Sequence, residues 1–144
     1  MGNDAGIGTM EENEIIQLIQ IAENARKSAY APYSHFAVGA ALLASDGKIY
    51  TGCNIENASF GAANCAERTA FFKAVSEGKK EFEAIAICGG DEKEEPQEYV
   101  YPCGICRQVM AEFCGRDFKV IAARKREDYK VYTLGELLPE AFSL

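Results

Sequence analysis

Two short cysteine motifs constrain this chain more than any other feature. Asn64-Cys65-Ala66-Glu67-Arg68 and Pro102-Cys103-Gly104-Ile105-Cys106 together offer three thiols, one carboxylate and one guanidinium. Zinc takes thiolate sulfur in tetrahedral sites; a closed structural site uses four protein ligands, an open reactive one only three. Three cysteines with a glutamate two residues past the first suit an open site. The fold must therefore carry both motifs to one point. Proline is favoured at a helix start, where its missing N–H costs nothing. Cys103 and Cys106, three apart in a first turn, then share one face. Cys65 is expected to open a second helix. Unpaired N–H groups and the positive dipole end at a helix start favour thiolates. Two helix starts aimed at one zinc ion is the resulting expectation.

The rest of the chain supplies a scaffold for that meeting. Apolar residues at Ile15, Leu18, Ile19 and Ala22, continued by Ala25 and Ala29, predict a helix from Glu12 to Tyr30 with one buried face. Ala31-Pro32 stops it, because a residue before proline avoids helical geometry. Phe36 to Ala44 is too apolar to leave a face in water and predicts a central strand. Ser45-Asp46-Gly47-Lys48 reads as a hairpin turn returning through Ile49 to Asn54. After a small-residue loop, Ala66, Ala70, Phe71, Ala74 and Val75 mark a second helix closed by Gly78. Phe82 to Gly90 predicts a buried strand, and the acidic run from Asp91 to Glu95 a solvated loop. Ile105, Val109, Met110 and Phe113 mark a third helix ending at Gly115. Phe118 to Ala123 and Tyr129 to Leu134 predict two further strands, with a short helix or turn beyond Gly135.

This order predicts the α/β class, a three-layer α/β/α arrangement with a five-stranded mixed sheet covered on both faces. Ligands in such sheets gather at the carboxyl ends of strands. Both cysteine motifs lie at strand-to-helix passages. The division expected is a flexible N-terminal tail over residues 1–11 and one domain over 12–144.

Charge and cysteine usage narrow the function classes. The net charge of −7 comes with no cluster of lysine or arginine. Non-specific nucleic-acid binding rests on basic side chains that neutralise phosphates, so no nucleic-acid partner is expected. No apolar run approaches the ~20 residues of a membrane span. The N-terminus lacks the pattern of a secretory signal. Cytoplasmic residence with no membrane partner is expected, which argues against a disulfide framework. Cys53, Cys88 and Cys114 fall on apolar positions and read as small buried hydrophobes.

Zinc with three thiolates carries a net negative charge, which opposes ionisation of water at the open position. Arg68 is the nearest positive group, and hydrogen bonds from it to cysteine sulfur would tune the metal. An ordinary helix-surface arginine is the plainer alternative. Glu67 lies close to the metal without being a ligand. It can move protons, work typically worth ~10²–10⁴-fold. Alone, it would read as an acid favoured by a helix start.

C-x-E paired with P-C-x-x-C matches the signature of zinc deaminases, with cysteine in place of histidine at the first position. The chain resembles the cytidine deaminases of the small homotetrameric, three-cysteine type from the first helix to the C-terminus. The resemblance runs through Tyr30-Ala31-Pro32-Tyr33-Ser34, Phe36-Ala37-Val38-Gly39-Ala40-Ala41-Leu42, Gly52-Cys53-Asn54-Ile55-Glu56-Asn57, both cysteine motifs and Leu137-Leu138-Pro139-Glu140-Ala141-Phe142. It implies one zinc per subunit on Cys65, Cys103 and Cys106, with Glu67 carrying the proton. It implies ribose contacts from Asn54 and Glu56, a base contact from Phe36, and backbone groups of Ala66 and Cys103 reading the base. Phe142 would reach the site of a neighbouring subunit in a homotetramer with shared sites. The implied reaction is hydrolysis of cytidine, and of 2′-deoxycytidine, to the uridine product and ammonia in pyrimidine salvage.

The chain departs from the family at Phe60, where tyrosine is frequent, and its single histidine, His35, matches no ligand position. One alternative is a deaminase of another amino heterocycle, such as an aminonucleoside antibiotic; such relatives lack the Asn-Ile-Glu-Asn stretch. Two others are a structural zinc module closed by Cys53 and a redox pair at Cys103 and Cys106.

Overall fold

The structure, a computed structural model, describes residues 10–144. Helix α1 (Glu12–Ala25) leads into a 3₁₀ turn at Arg26–Ser28, and strands β1 (Phe36–Ala44) and β2 (Ile49–Cys53) form a hairpin. Helix α2 (Ala66–Ser76) precedes β3 (Phe82–Asp91), and α3 (Gly104–Phe113) precedes β4 (Lys119–Lys125). Strand β5 (Asp128–Thr133) and the one-turn α4 (Leu134–Leu137) follow. The five strands make one sheet in the order β2-β1-β3-β4-β5. Strand β1 is antiparallel to both neighbours, β3 and β4 are parallel, and β4 and β5 are antiparallel.

The side-chain alternation of β3 divides the core. Ala84, Ala86 and Cys88 face α1 and pack with Ile15, Leu18, Ile19 and Ala22. Ile85 and Ile87 face the other way, against Ala70, Phe71 and Ala74 of α2 and Met110 of α3. One helix therefore covers one face and two cover the other, which is the expected three-layer α/β/α arrangement around a mixed sheet. Two glycines set the spacing. A Cβ on Gly39 would fall 2.0 Å from the Ala22 carbonyl oxygen, and one on Gly52 2.2 Å from that of Ala66. Only glycine permits these approaches of α1 and α2 to the sheet.

Because β2 and β3 both run antiparallel to β1, they are parallel to each other. Their carboxyl ends reach the same edge of the sheet. Each continues toward a helix on the same face, so the starts of α2 and α3 meet there. The topology, more than either motif alone, brings the cysteines together.

Two boundaries differ from expectation. Helix α1 ends at Ala25, not Tyr30, and Ala29 is already extended at φ −60° and ψ 142°. The guanidinium of Arg26 explains the early stop. It donates to the carbonyls of Ala37 (2.9 Å), Gly90 (3.0 Å) and Asp91 (3.0 Å), anchoring the chain to the ends of β1 and β3. At the C-terminus only Leu134–Leu137 is helical, capped by Thr133 and Glu136.

Residues 1–9 of the expected tail lie outside the described residues. Glu11 caps α1 through a reciprocal capping box with Glu14, and Met10 packs against the α1 core cluster. Among the described residues no helix is long and apolar enough to cross a membrane.

Candidate metal centre and active site

Cys65 and Cys103 are the N-cap residues of α2 and α3, extended at ψ 157° and 171°. Cys106 lies in the first turn of α3 and is buried. The three sulfur atoms lie within 4.8 Å of one another, and Cys65 and Cys103 are 3.9 Å apart. Tetrahedral zinc with bonds of about 2.3 Å sets its sulfur ligands about 3.8 Å apart. The donor set and its spacing fit zinc.

The hydrogen-bond network braces this cluster. Arg68 donates from Nη2 to the Cys65 sulfur at 3.2 Å. Thr69 donates to the Cys65 carbonyl and accepts from the Asn64 amide. Arg107 donates to the carbonyls of Pro102 (2.8 Å) and Leu137 (2.7 Å), tying the loop before Cys103 to α4. The Cys65 thiol is pulled down to about 5, first by its hydrogen bond with Cys106 and then, against burial, by Arg68 and Cys103. That bond and burial push the Cys106 thiol up. Burial disfavours the charge on Arg68, but hydrogen bonds to Cys65 and Cys106 outweigh it and hold the guanidinium protonated.

Glu67 is 4% exposed, a buried charged residue at the second position of α2. Burial pushes its carboxyl up to about 7, against the pull of its own backbone N–H; the Cys65 charge adds to the rise and Arg68 opposes it. A carboxyl poised near neutrality can both accept and return a proton. Cys53, Cys88 and Cys114 stand outside the three-sulfur cluster. Burial raises all three, Cys88 and Cys114 to about 12 each, so they stay protonated thiols. Cys53 does not supply the fourth donor that a closed zinc module needs.

Asn54 and Glu56 follow β2 on the same edge; Asn54 grips the start of β1 and Glu56 the segment just before it. Asn54 accepts from the Val38 N–H (2.8 Å) and donates to the Phe36 carbonyl (2.7 Å). Glu56 accepts from the backbone N–H groups of Tyr33 (2.9 Å) and Ser34 (3.1 Å) and from the Ser34 hydroxyl. Phe36 begins β1 and is partly exposed, and Ala66 is buried at the first position of α2. Phe142 is 67% exposed, its carbonyl accepting from Gln108 at 3.0 Å. Phe60 is also exposed, in a 3₁₀ turn, and His35 pairs with Glu92 at 2.9 Å.

The model of the family described as the cytidine and deoxycytidylate deaminase zinc-binding region matches residues 12–122. The chain belongs to this deaminase family. A cytidine deaminase of Sporosarcina psychrophila is 52% identical over 130 residues, covering 90% of this chain and 92% of that protein. The crystal structure of a cytidine deaminase from Burkholderia pseudomallei superposes with a TM-score of 0.79 at 49% identity, covering 88% of this chain and 97% of that one. A blasticidin-S deaminase of Bacillus cereus is more distant, 29% identical over 127 residues, covering 86% of this chain and 89% of that protein.

As a zinc deaminase, the protein takes zinc as its cofactor, and the three-cysteine cluster is a group able to hold it. Sequence reasoning brought Cys65, Cys103, Cys106, Glu67 and Arg68 to one place, as the structure does. It missed the supporting roles of Ser34, Thr69 and Arg107. Thr69 and Arg107 each sit four residues after a cluster cysteine, Cys65 and Cys103. Ser34, by contrast, is joined to Glu56 across 22 positions, beyond the reach of any local motif.

Proposed function

We propose that this protein deaminates cytidine and 2′-deoxycytidine hydrolytically, consuming one water and releasing uridine or deoxyuridine and ammonia. The observation that carries this reading is Glu67: a buried carboxyl raised to about 7 beside three clustered thiols and one guanidinium. Zinc, when bound by Cys65, Cys103 and Cys106, supplies Lewis-acid activation of water at neutral pH. Glu67 takes a proton from the attacking water and passes it to the ring nitrogen of the pyrimidine. It then relays a second proton to the amino group, which leaves as ammonia. Arg68 offsets the negative charge of the thiolates by its bond to Cys65. Asn54 and Glu56 bind the ribose hydroxyls, Phe36 packs on the base, and backbone groups at Ala66 and Cys103 read its polar edge.

The domain proposed over residues 12–144 takes in Met10 and Glu11 as well, which pack on and cap its first helix. The exposed Phe142 and Phe60 suit a homotetramer in which neighbouring subunits complete each site. Cytoplasmic pyrimidine salvage is the setting that this chemistry fits, with no nucleic acid or membrane as partner. Asn54 and Glu56 favour a nucleoside with free ribose hydroxyls over an antibiotic of the blasticidin S type. The test is deamination followed by ultraviolet absorbance and ammonia release. Cytidine turnover that a chelator abolishes and zinc restores is expected. Turnover of blasticidin S without turnover of cytidine would overturn the substrate assignment.

A further inference from the structure

We propose that Ser34 is the positioning residue that locks the ribose-binding carboxylate of Glu56 to the base-contacting segment at Phe36. The inference rests on the assignment of Glu56 to the ribose and extends it to a residue with no assigned role. The Ser34 hydroxyl has one proton to give. The backbone N–H of Phe36 donates to its oxygen at 3.1 Å, so that proton is left for the Glu56 carboxylate. The Tyr33 and Ser34 N–H groups take the other oxygen of Glu56, at 2.9 and 3.1 Å. Three donors from two adjacent residues thus fix the plane of one carboxylate. The Ser34 hydroxyl is also the foremost of the groups holding that carboxyl below the ordinary glutamate range.

The backbone makes this arrangement possible at a cost. His35, between Ser34 and Phe36, sits at φ 60°, a left-handed conformation that residues with a side chain rarely adopt. Its N–H donates to the Ala31 carbonyl at 2.9 Å, and its own carbonyl accepts from Glu92 at 2.8 Å, so the turn is held from both sides. This geometry folds the Phe36 N–H back onto the Ser34 hydroxyl. On its other side the Phe36 carbonyl accepts from Asn54 at 2.7 Å. The peptide groups on both sides of the base-contacting ring are therefore gripped by Ser34 and Asn54. Ribose recognition and base placement share one network through a single hydroxyl. Strained turns held in this way cluster at ligand clamps.

The test compares uridine and 2′,3′-dideoxyuridine as competitive inhibitors of the zinc-loaded enzyme, alongside kcat and KM for cytidine. Removing a charge-assisted hydrogen bond to Glu56 in Ser34→Ala is expected to raise KM and the uridine Ki about tenfold. The kcat should stay within about threefold, because the three cysteines and Glu67 are untouched. The Ki for the dideoxy compound, which lacks the 2′- and 3′-hydroxyls, should rise clearly less than that for uridine, because only the base contact at Phe36 is left to weaken. Ser34→Thr, which keeps the hydroxyl, should restore uridine binding. The double variant Ser34→Ala/Glu56→Gln should discriminate no worse than Glu56→Gln alone.

Zinc content and a thermal melt establish folding for each variant. Should Ser34→Ala not fold, Ser34→Gly, which likewise removes the hydroxyl, takes its place in every comparison. If Glu56→Gln loses the preference for uridine while the Ser34 variant retains it, the inference about Ser34 is overturned and the ribose assignment stands. If Glu56→Gln itself keeps the preference, the ribose assignment fails and the inference falls with it.

Discussion

Replacing Glu67 by glutamine in the zinc-free protein should change how stability depends on pH, by an amount the structure sets. The carboxyl of Glu67 lies at about 7 in the fold, against 4.5 for the unperturbed group, chiefly because it is buried. Below pH 4.5 both folded and unfolded chains carry it protonated, and burial of the acid costs no ionisation energy. Between 4.5 and 7 the unfolded chain releases its proton while the folded one keeps it, so the fold loses stability as pH rises. At about 1.4 kcal/mol per pH unit, the loss reaches about 3 kcal/mol by neutrality. Glutamine cannot ionise and escapes this loss. Cys65 is present in both proteins, so only its charge coupling to Glu67 enters the difference, and it acts in the same direction as burial.

The assay is thermal or urea unfolding of chelator-treated, reduced protein between pH 4.5 and 8. The stability of Glu67→Gln relative to the parent should climb by about 3 kcal/mol across that range, about 10 °C in Tm for a domain of this size. Parallel curves would refute the reasoning. They would mean that the Glu67 carboxylate is already solvated or paired in the fold, and so not poised to exchange protons near neutrality.

Two further perturbations separate the metal cluster from its supports. Arg68→Ala removes the guanidinium 3.2 Å from the Cys65 sulfur, and should keep zinc while lowering turnover about 10–100-fold and moving the acid limb of the pH–rate profile upward; full zinc with full turnover would dismiss Arg68 as an ordinary surface arginine. Gly52→Ala and Gly39→Ala each force a methyl against a helix carbonyl, at 2.2 and 2.0 Å, and each should destabilise by about 1–3 kcal/mol in a thermal melt. Only Gly52 abuts the start of α2 beside Cys65, so only its variant should lose zinc affinity; equal losses would tie zinc retention to overall stability instead.

The parts legible in the sequence were those written locally. Proline and cysteine at a helix start, a glutamate two residues past a cysteine, and apolar strands of distinct lengths sufficed for the sheet and the metal cluster. What could not be read depends on contacts between distant segments. Helix α1 stops at Ala25 because Arg26 finds the carbonyls of Gly90 and Asp91, 64 and 65 positions away. The chain-order pattern showed only an apolar stripe running on through Ala25 and Ala29. Asn54 and Glu56 were visible as polar residues after a strand. That their side chains turn back to hold the backbone of Phe36, Val38, Tyr33 and Ser34 follows only from the hairpin geometry. Arg68 was readable either as a metal-tuning group or as a surface charge; its hydrogen bond to the Cys65 sulfur is a matter of coordinates.

The most direct measurement is cytidine turnover by zinc-loaded parent and zinc-loaded Glu67→Gln, with zinc content measured on the same samples. The parent should convert cytidine to uridine, and the variant, with equal zinc, should be slower by at least about 10²-fold. Equal turnover in the two proteins at equal zinc would contradict the assignment of Glu67 as the proton carrier, and with it the chemistry built on this buried carboxyl.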